Sequence, residues 1–223
     1  MVAQRLSVVI PALNEAATIV AALEALAPLR GRGHEVIVAD GGSSDDTAQL
    51  ARGLCDKVLD TPRGRALQMN AGARAATGDA LLFLHADTRL PPDADYAVLS
   101  ALNEHLWGRF DVAIEGRHPL LKVVGCAMNL RSRLTGIATG DQAIFARRAA
   151  FAGFPEIALM EDVAFCKSMK KLGPPACRRE KVLTSGRRWE SRGVLRTVVL
   201  MWRLRLAYFL GARPEDLARI YHR

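Results

Sequence analysis

A chain of 223 residues, half of them apolar, is long enough for one large domain or two small ones around a real core, which excludes disorder. Its formal net charge of +8 suits an acidic partner: a nucleotide, a nucleic acid or an anionic membrane. Aromatics at 6% and the lack of a recognised binding motif set nucleic acid aside.

Leu6–Ile10 reads as a first strand, Pro11-Ala12-Leu13 as a turn, and Asn14 as the cap of a helix carrying Ile19, Leu23 and Leu26. Gly31 and Gly33 end that segment. Glu35–Ala39 is a second strand closed by Asp40, and Gly41–Thr47 a glycine-rich turn into a helix, with Asp45 read as its cap. Lys57–Leu59 is a short strand and Ala66–Ala76 a helix stopped by Gly78. The run from Ala80 to Thr88 then reads as a strand buried on both faces that ends in polar groups. Beyond Pro91 the spacing predicts helices over 92–106, 120–134 and 162–172, and strands over 110–114 and 142–145. Strands alternating with helices indicate a parallel α/β sheet, and Asn14/Glu15, Asp40 and Asp87 then converge on one edge of it, where such sheets bind ligands.

The four cysteines, Cys55, Cys126, Cys166 and Cys177, are scattered without a CxxC pair. They frame neither a zinc site nor a disulfide scaffold, so a reducing, cytoplasmic setting is expected. The first apolar stretch is broken too soon for a signal peptide, and no apolar run is long enough to span a bilayer.

Val8-Val9-Ile10-Pro11-Ala12-Leu13-Asn14-Glu15 resembles the opening of the family 2 glycosyltransferases. Asp40-Gly41-Gly42-Ser43-Ser44-Asp45-Asp46-Thr47 is similar to that family's D-D/G-G-S-x-D-x-T motif. Gly64-Arg65 through Asn70-Ala71-Gly72 and Ala76-Thr77-Gly78-Asp79 resemble the stretch before its acidic motif. His85-Ala86-Asp87 sits where its D-x-D lies, Glu161-Asp162 matches its later E-D pair, and Arg187-Arg188-Trp189 is similar to the end of Q-x-x-R-W. The ordered set spans roughly residues 5–190 and looks like a short, stand-alone bacterial subgroup. His85 replaces the first Asp of D-x-D. Ser185 replaces the Gln of Q-x-x-R-W, which points away from processive polymer synthesis.

The resemblance implies a GT-A fold, with a Rossmann-like, mostly parallel central sheet flanked by helices. It implies an inverting, hexosyltransferase-like enzyme that moves a sugar from a nucleotide-diphospho-sugar donor to a hydroxyl acceptor. Residues 1–190 would be one catalytic domain, with a nucleotide-binding half (1–91) and an acceptor half (92–190), followed by a helical extension (191–223). Pro11, Ala12, Leu13, Asn14 and Glu15 would wrap base and ribose, Asp40 beside Gly41 would accept from a base N–H, and Arg65 would lie against base or phosphates. Asn70 stands either on the nucleotide or at an ordinary exposed helix position. Asp87 would anchor Mg²⁺ or Mn²⁺ at the diphosphate, with His85 and Ala86 beside it. Asp162, supported by Glu161, would be the base, although an acidic pair also suits a helix N-terminus by itself. Gly140, Asp141 and Gln142 would line the acceptor side, and Arg187, Arg188 and Trp189 would cover the diphosphate or a sugar face. Two alternatives stay open: a nucleotide-sugar binding protein without catalysis, and a nucleotidyltransferase on a related scaffold. An NAD enzyme is disfavoured, since no G-x-G-x-x-G follows the first strand.

From Gly193 onward, Leu195, Val198, Val199, Trp202, Leu206 and Phe209 recur at helical spacing. Arg192, Arg196 and Arg203 lie beside that face, and Arg205 nearer its other border. A last helix begins near Pro214. The plain reading packs the long helix on the catalytic domain. The sharper one rests it on an anionic membrane, as a peripheral contact that brings a lipid-linked acceptor within reach.

Overall fold

The computed structural model describes residues 5–221, so residues 1–4 and 222–223, the ends of the two expected spans, lie outside the described residues. The elements in order are β1 (Leu6–Ala12), α1 (Ile19–Ala25), α2 (Ala27–Gly31), β2 (Glu35–Asp40), α3 (Thr47–Ala51), β3 (Lys57–Asp60), α4 (Arg65–Ala75), β4 (Ala80–Phe83), β5 (Thr88–Arg89) and α5 (Ala94–Glu104). The second half carries β6 (Trp107–Glu115), α6 (Leu120–Thr135), a 3₁₀ turn at Gly140–Gln142, β7 (Phe145–Arg147), a second at Arg148–Ala150, α7 (Glu161–Lys170), β8 (Ala176–Ser185), α8 (Arg187–Arg192), α9 (Val194–Phe209) and α10 (Pro214–Tyr221).

Among the described residues both halves build one eight-stranded sheet, ordered β3-β2-β1-β4-β7-β6-β8-β5. β3, β2, β1 and β4 run parallel, as the alternation of strands and helices requires. The second half is mixed: β7 is antiparallel to both β4 and β6, β6 and β8 are parallel, and β5 is antiparallel to β8. The apolar strands are buried on both faces because successive side chains feed different cores. Val8 and Ile10 pack with Leu23, Leu82 and Val98 on one side. Val9, Leu81 and Phe83 pack with Met69, Phe154 and Phe165 on the other.

Helix α4 sits directly on β1. Gly72 permits this approach, since any Cβ there would overlap the Val9 side chain. The N-terminal end of α4 therefore lies beside the carboxyl ends of β1 and β2, where its side chains can reach a ligand.

Several local expectations change. Pro11 and Ala12 stay in β1, paired with Ala39 and Asp40, instead of turning the chain. Asn14 does not cap α1. It adopts a left-handed backbone (φ 55), and its side-chain oxygen accepts from the Ser44 N–H at 2.8 Å. The expected long strand at 80–88 stops at Phe83, and a turn closed by Thr88 N–H to His85 C=O separates it from β5. The expected strand at 142–145 is not one: Gln142 ends the first 3₁₀ turn, Ala143 and Ile144 are irregular, and Phe145 begins β7. Strand β8 was not expected, because its half-exposed stretch carries Arg178, Arg179, Glu180 and Lys181, which hide the alternation. All four cysteines are free thiols. Among the described residues no helix is long and apolar enough to cross a membrane.

Candidate active site

A cleft of ≈ 390 Å³ opens at the carboxyl ends of β1 and β4, a size typical of small-molecule sites (roughly 300–1,000 Å³). One wall is the end of β1 with the loop beyond it: Pro11, Ala12, Leu13 and Glu15. The first turn of α4 adds Arg65 and Gln68, and the turn after β4 adds His85, Ala86 and Asp87. Opposite stand Gly140 and Asp141, then Glu161 and Asp162 at the start of α7. Ser185, Arg188, Trp189 and Arg192 close one end. The surprise is the C-terminal layer, since Thr197, Leu200, Met201 and Arg205 of α9 and Tyr221 of α10 complete the wall.

Asp162 is the cleft carboxylate whose pKa is raised. Its two oxygens accept from the Gly140 N–H at 3.0 Å and the Val163 N–H at 2.7 Å. Burial, then the adjacent Glu161 carboxylate, push its pKa up to about 6, against the pull of Arg65 and of those two N–H groups. Glu161 itself is buried and accepts from Arg65 at 3.2 Å. The pair is thus asymmetric: Glu161 is ion-paired with Arg65, while Asp162 has no cation bonded to it among the described residues and is held by backbone amides.

His85 Nδ1 lies 3.3 Å from the Asp141 carboxylate. Its Nε2 is buried against Gly140 without a hydrogen-bond partner among the described residues, and a Cβ on Gly140 would meet it at 2.5 Å. Burial works to raise the Asp141 pKa, but His85, Arg65 and Arg188 outweigh it and hold the carboxyl below its usual value. Asp87 is half-buried and its carboxylate is only loosely engaged, by the Thr88 hydroxyl at 3.4 Å. Among the described residues no three His, Cys, Asp or Glu side chains form a metal cage. One available carboxylate on a cleft wall nonetheless suits a hydrated Mg²⁺ or Mn²⁺ that takes its remaining oxygens from water and phosphates.

Other expected site residues lie elsewhere. Asp40 is buried and outside the cleft lining, and its carboxylate accepts from the Gly42 and Ser43 N–H groups and the Ser43 hydroxyl, locking the glycine-rich turn. Gly41 lies under Gln68, whose side-chain amide approaches to 3.0 Å of where a Cβ would stand. Asn14 joins that turn and does not line the cleft. Asn70 is neither exposed nor at the cleft: it is buried and brackets the Phe154 backbone, donating to its C=O at 2.9 Å and accepting from its N–H at 2.8 Å. Gln142 is fully buried and faces away, donating to the Ser132 hydroxyl and accepting from the Thr139 N–H. Arg187 is exposed and 4.0 Å from Glu15, while Arg188 stacks on the Tyr221 ring. Asp45 is not the N-cap of α3, which is Asp46; it stands one residue earlier and accepts from the Thr47 N–H and the Ala16 N–H, tying the turn to the loop after β1.

Sequence reasoning missed Gln68, which donates to the Ala12 C=O at 2.7 Å and the Ala39 C=O at 2.9 Å and so ties the carboxyl ends of β1 and β2 together. Gln68 shares α4 with Arg65, Asn70 and Arg74, so its polarity alone did not single it out.

The fold is the GT-A fold, and its cleft, walled by carboxylates and arginines, lies at the carboxyl ends of the sheet, where α/β folds bind ligands. The family described as Glycosyl transferase family 2 matches residues 7–122, and the chain belongs to it. A PGL/p-HBAD biosynthesis glycosyltransferase of Mycobacterium tuberculosis is 36% identical over 113 residues, which is 47% of this chain and 44% of that protein. The match thus spans less than half the length of this relative. Among solved structures, Staphylococcus aureus TarS in complex with UDP-GlcNAc is similar with a TM-score of 0.64 at 20% identity, over 82% of this chain and 58% of that one. The mannosyltransferase PcManGT of Pyrobaculum calidifontis, in complex with GDP-Man and Mn²⁺, reaches 0.67 at 22% identity, over 98% of this chain and 68% of its own.

Proposed function

We propose that the enzyme transfers a sugar, with inversion, from a nucleoside-diphosphate donor to a hydroxyl acceptor. The observation that carries this reading is Asp162, a cleft-lining carboxylate with its pKa pushed up to about 6. That value leaves it ionised near neutral pH yet basic enough to take a proton, as a general base requires. The acceptor oxygen attacks the anomeric carbon while Asp162 removes its proton. The bond to the diphosphate breaks on the opposite face, and its electron pair leaves with the nucleoside diphosphate.

Asp162 is held in aim by the Gly140 and Val163 amides, and Glu161 is kept from competing by Arg65. Base and ribose would sit against Pro11–Leu13 and Glu15, with Arg188 and Arg192 facing the diphosphate and Trp189 a sugar face. Asp87 would hold a divalent metal ion, which when bound supplies positive charge to the leaving diphosphate. His85 would act through Asp141. Structural neighbours with UDP-GlcNAc and with GDP-Man and Mn²⁺ support a uridine or guanosine diphosphate sugar. In this reading the 1–91 half holds base and ribose, the 92–190 half supplies the general base and most of the acceptor side, and α9 and α10 wall the cleft.

The test is thermal unfolding with UDP or GDP, with and without Mn²⁺. A nucleotide that binds raises the melting temperature by mass action. Asp87→Asn should remove the Mn²⁺-dependent part of the rise, and an undiminished rise in that variant would refute the metal assignment.

A further inference from the structure

Helix α9 has two faces. Val194, Thr197 and Leu204 are buried, and Leu204 packs with Leu159, Met160, Val163 and Leu217. The opposite face leaves Leu195, Val199, Trp202, Leu206, Phe209 and Leu210 exposed, Trp202 by 74% and Phe209 by 78%. At 100° per residue these positions share one stripe. Large apolar side chains in solvent along a whole helix mark an interaction surface.

The charge beside the stripe identifies its partner. From Ser191 to Arg213 the chain holds five arginines and no acidic residue. Arg196 and Arg203 are exposed along one border of the stripe, while Arg205 lies on the cleft side. A second copy of this chain docked face to face would set arginine against arginine with no carboxylate on the stripe to answer it. An apolar stripe with a purely cationic border complements a surface that is both apolar and anionic. We propose that this face of α9 seats the protein on an anionic lipid surface, with Trp202 and Phe209 entering the headgroup boundary.

The placement deepens the transfer reading and rests on it for its purpose, because the inner side of the same helix lines the cleft. An acceptor carried on a lipid would then arrive along α9. The seating itself needs no donor and no catalysis. It is tested on the full chain by flotation with vesicles of phosphatidylcholine alone and of an equimolar mixture with phosphatidylglycerol. Binding to the mixed vesicles only, weakened by salt, is expected. Arg196→Glu with Arg203→Glu should reduce the bound fraction, by about 30-fold in partition coefficient even if only the two attractions are lost. Trp202→Ser with Phe209→Ser should also release the protein, and both double variants change exposed residues, so their melting temperatures should match wild type.

No flotation on the mixed vesicles at low salt overturns the proposal. A concentration-dependent dimer abolished by Trp202→Ser, without flotation, would assign the face to a second copy. Nucleotide-driven stabilisation measured on the same variants keeps the outcomes apart: lost flotation with retained nucleotide binding fails the seating alone.

Discussion

Asp162 should cost the fold stability at the pH where it serves the reaction. Its pKa is raised from 3.8 to about 6, first by burial and then by Glu161. The folded state therefore binds a proton more tightly than the unfolded chain, and stability falls as pH rises from about 4 through 6. The full shift is worth ~3 kcal/mol, which partial exposure at the cleft reduces to about 1–3 kcal/mol. Asp162→Asn removes that charge. Near pH 4 both proteins are neutral at this position and differ only by the local exchange of an oxygen for an amide. At pH 8 the variant should gain relative to wild type by roughly 2–12 °C in melting temperature, at ~2–4 °C per kcal/mol for a chain of this size. Thermal unfolding followed by circular dichroism across that range measures it. A melting-temperature difference that does not change with pH, or that moves against the variant as pH rises, would refute the argument that this carboxylate is ionised under strain.

Three further outcomes rest on the same contacts. Glu161→Gln removes the like charge beside Asp162, so the acidic limb of nucleoside-diphosphate release should move below pH 6; a limb that stays or rises contradicts the coupling. Asn70→Ala leaves the buried Phe154 N–H and C=O unpaired, at about 2–4 kcal/mol, and should lower the melting temperature by roughly 10 °C. Gly140→Ala forces a Cβ onto His85 and shifts the turn that aims Asp162; turnover should fall roughly 10–100-fold while nucleotide-driven stabilisation persists.

The elements legible in the sequence were those whose signal is local. β1 and β2 are apolar runs fed from both faces, and α4 has its boundaries set by glycine and composition. The convergence of β1, β2 and β4 followed from parallel topology, and the acidic pair at 161–162 from the family resemblance. What escaped was decided by partners far away in sequence. Asn70 serves a backbone 84 positions later, so nothing near it marks it as a bracket. Gln142 was read as facing the cleft, but its buried amide holds the turn to α6. Asp40 closes its own loop, a role that a carboxylate before Gly-Gly-Ser-Ser can fill as readily as ligand binding. Helix α9 combined a packed face, a cleft edge and an exposed stripe. Periodicity could identify the stripe but not which side met the domain.

The central claim is that Asp162 moves a proton in the transfer step and does not merely shape the cleft. The most direct measurement is nucleoside-diphosphate release from the nucleotide sugar, with donor affinity taken separately by calorimetry, for wild type and Asp162→Asn. The account predicts donor affinity within a factor of about two and turnover lower by roughly 10²–10⁴-fold, the usual worth of a general base. Equal losses in affinity and turnover, or a variant that releases product at the wild-type rate, would contradict it.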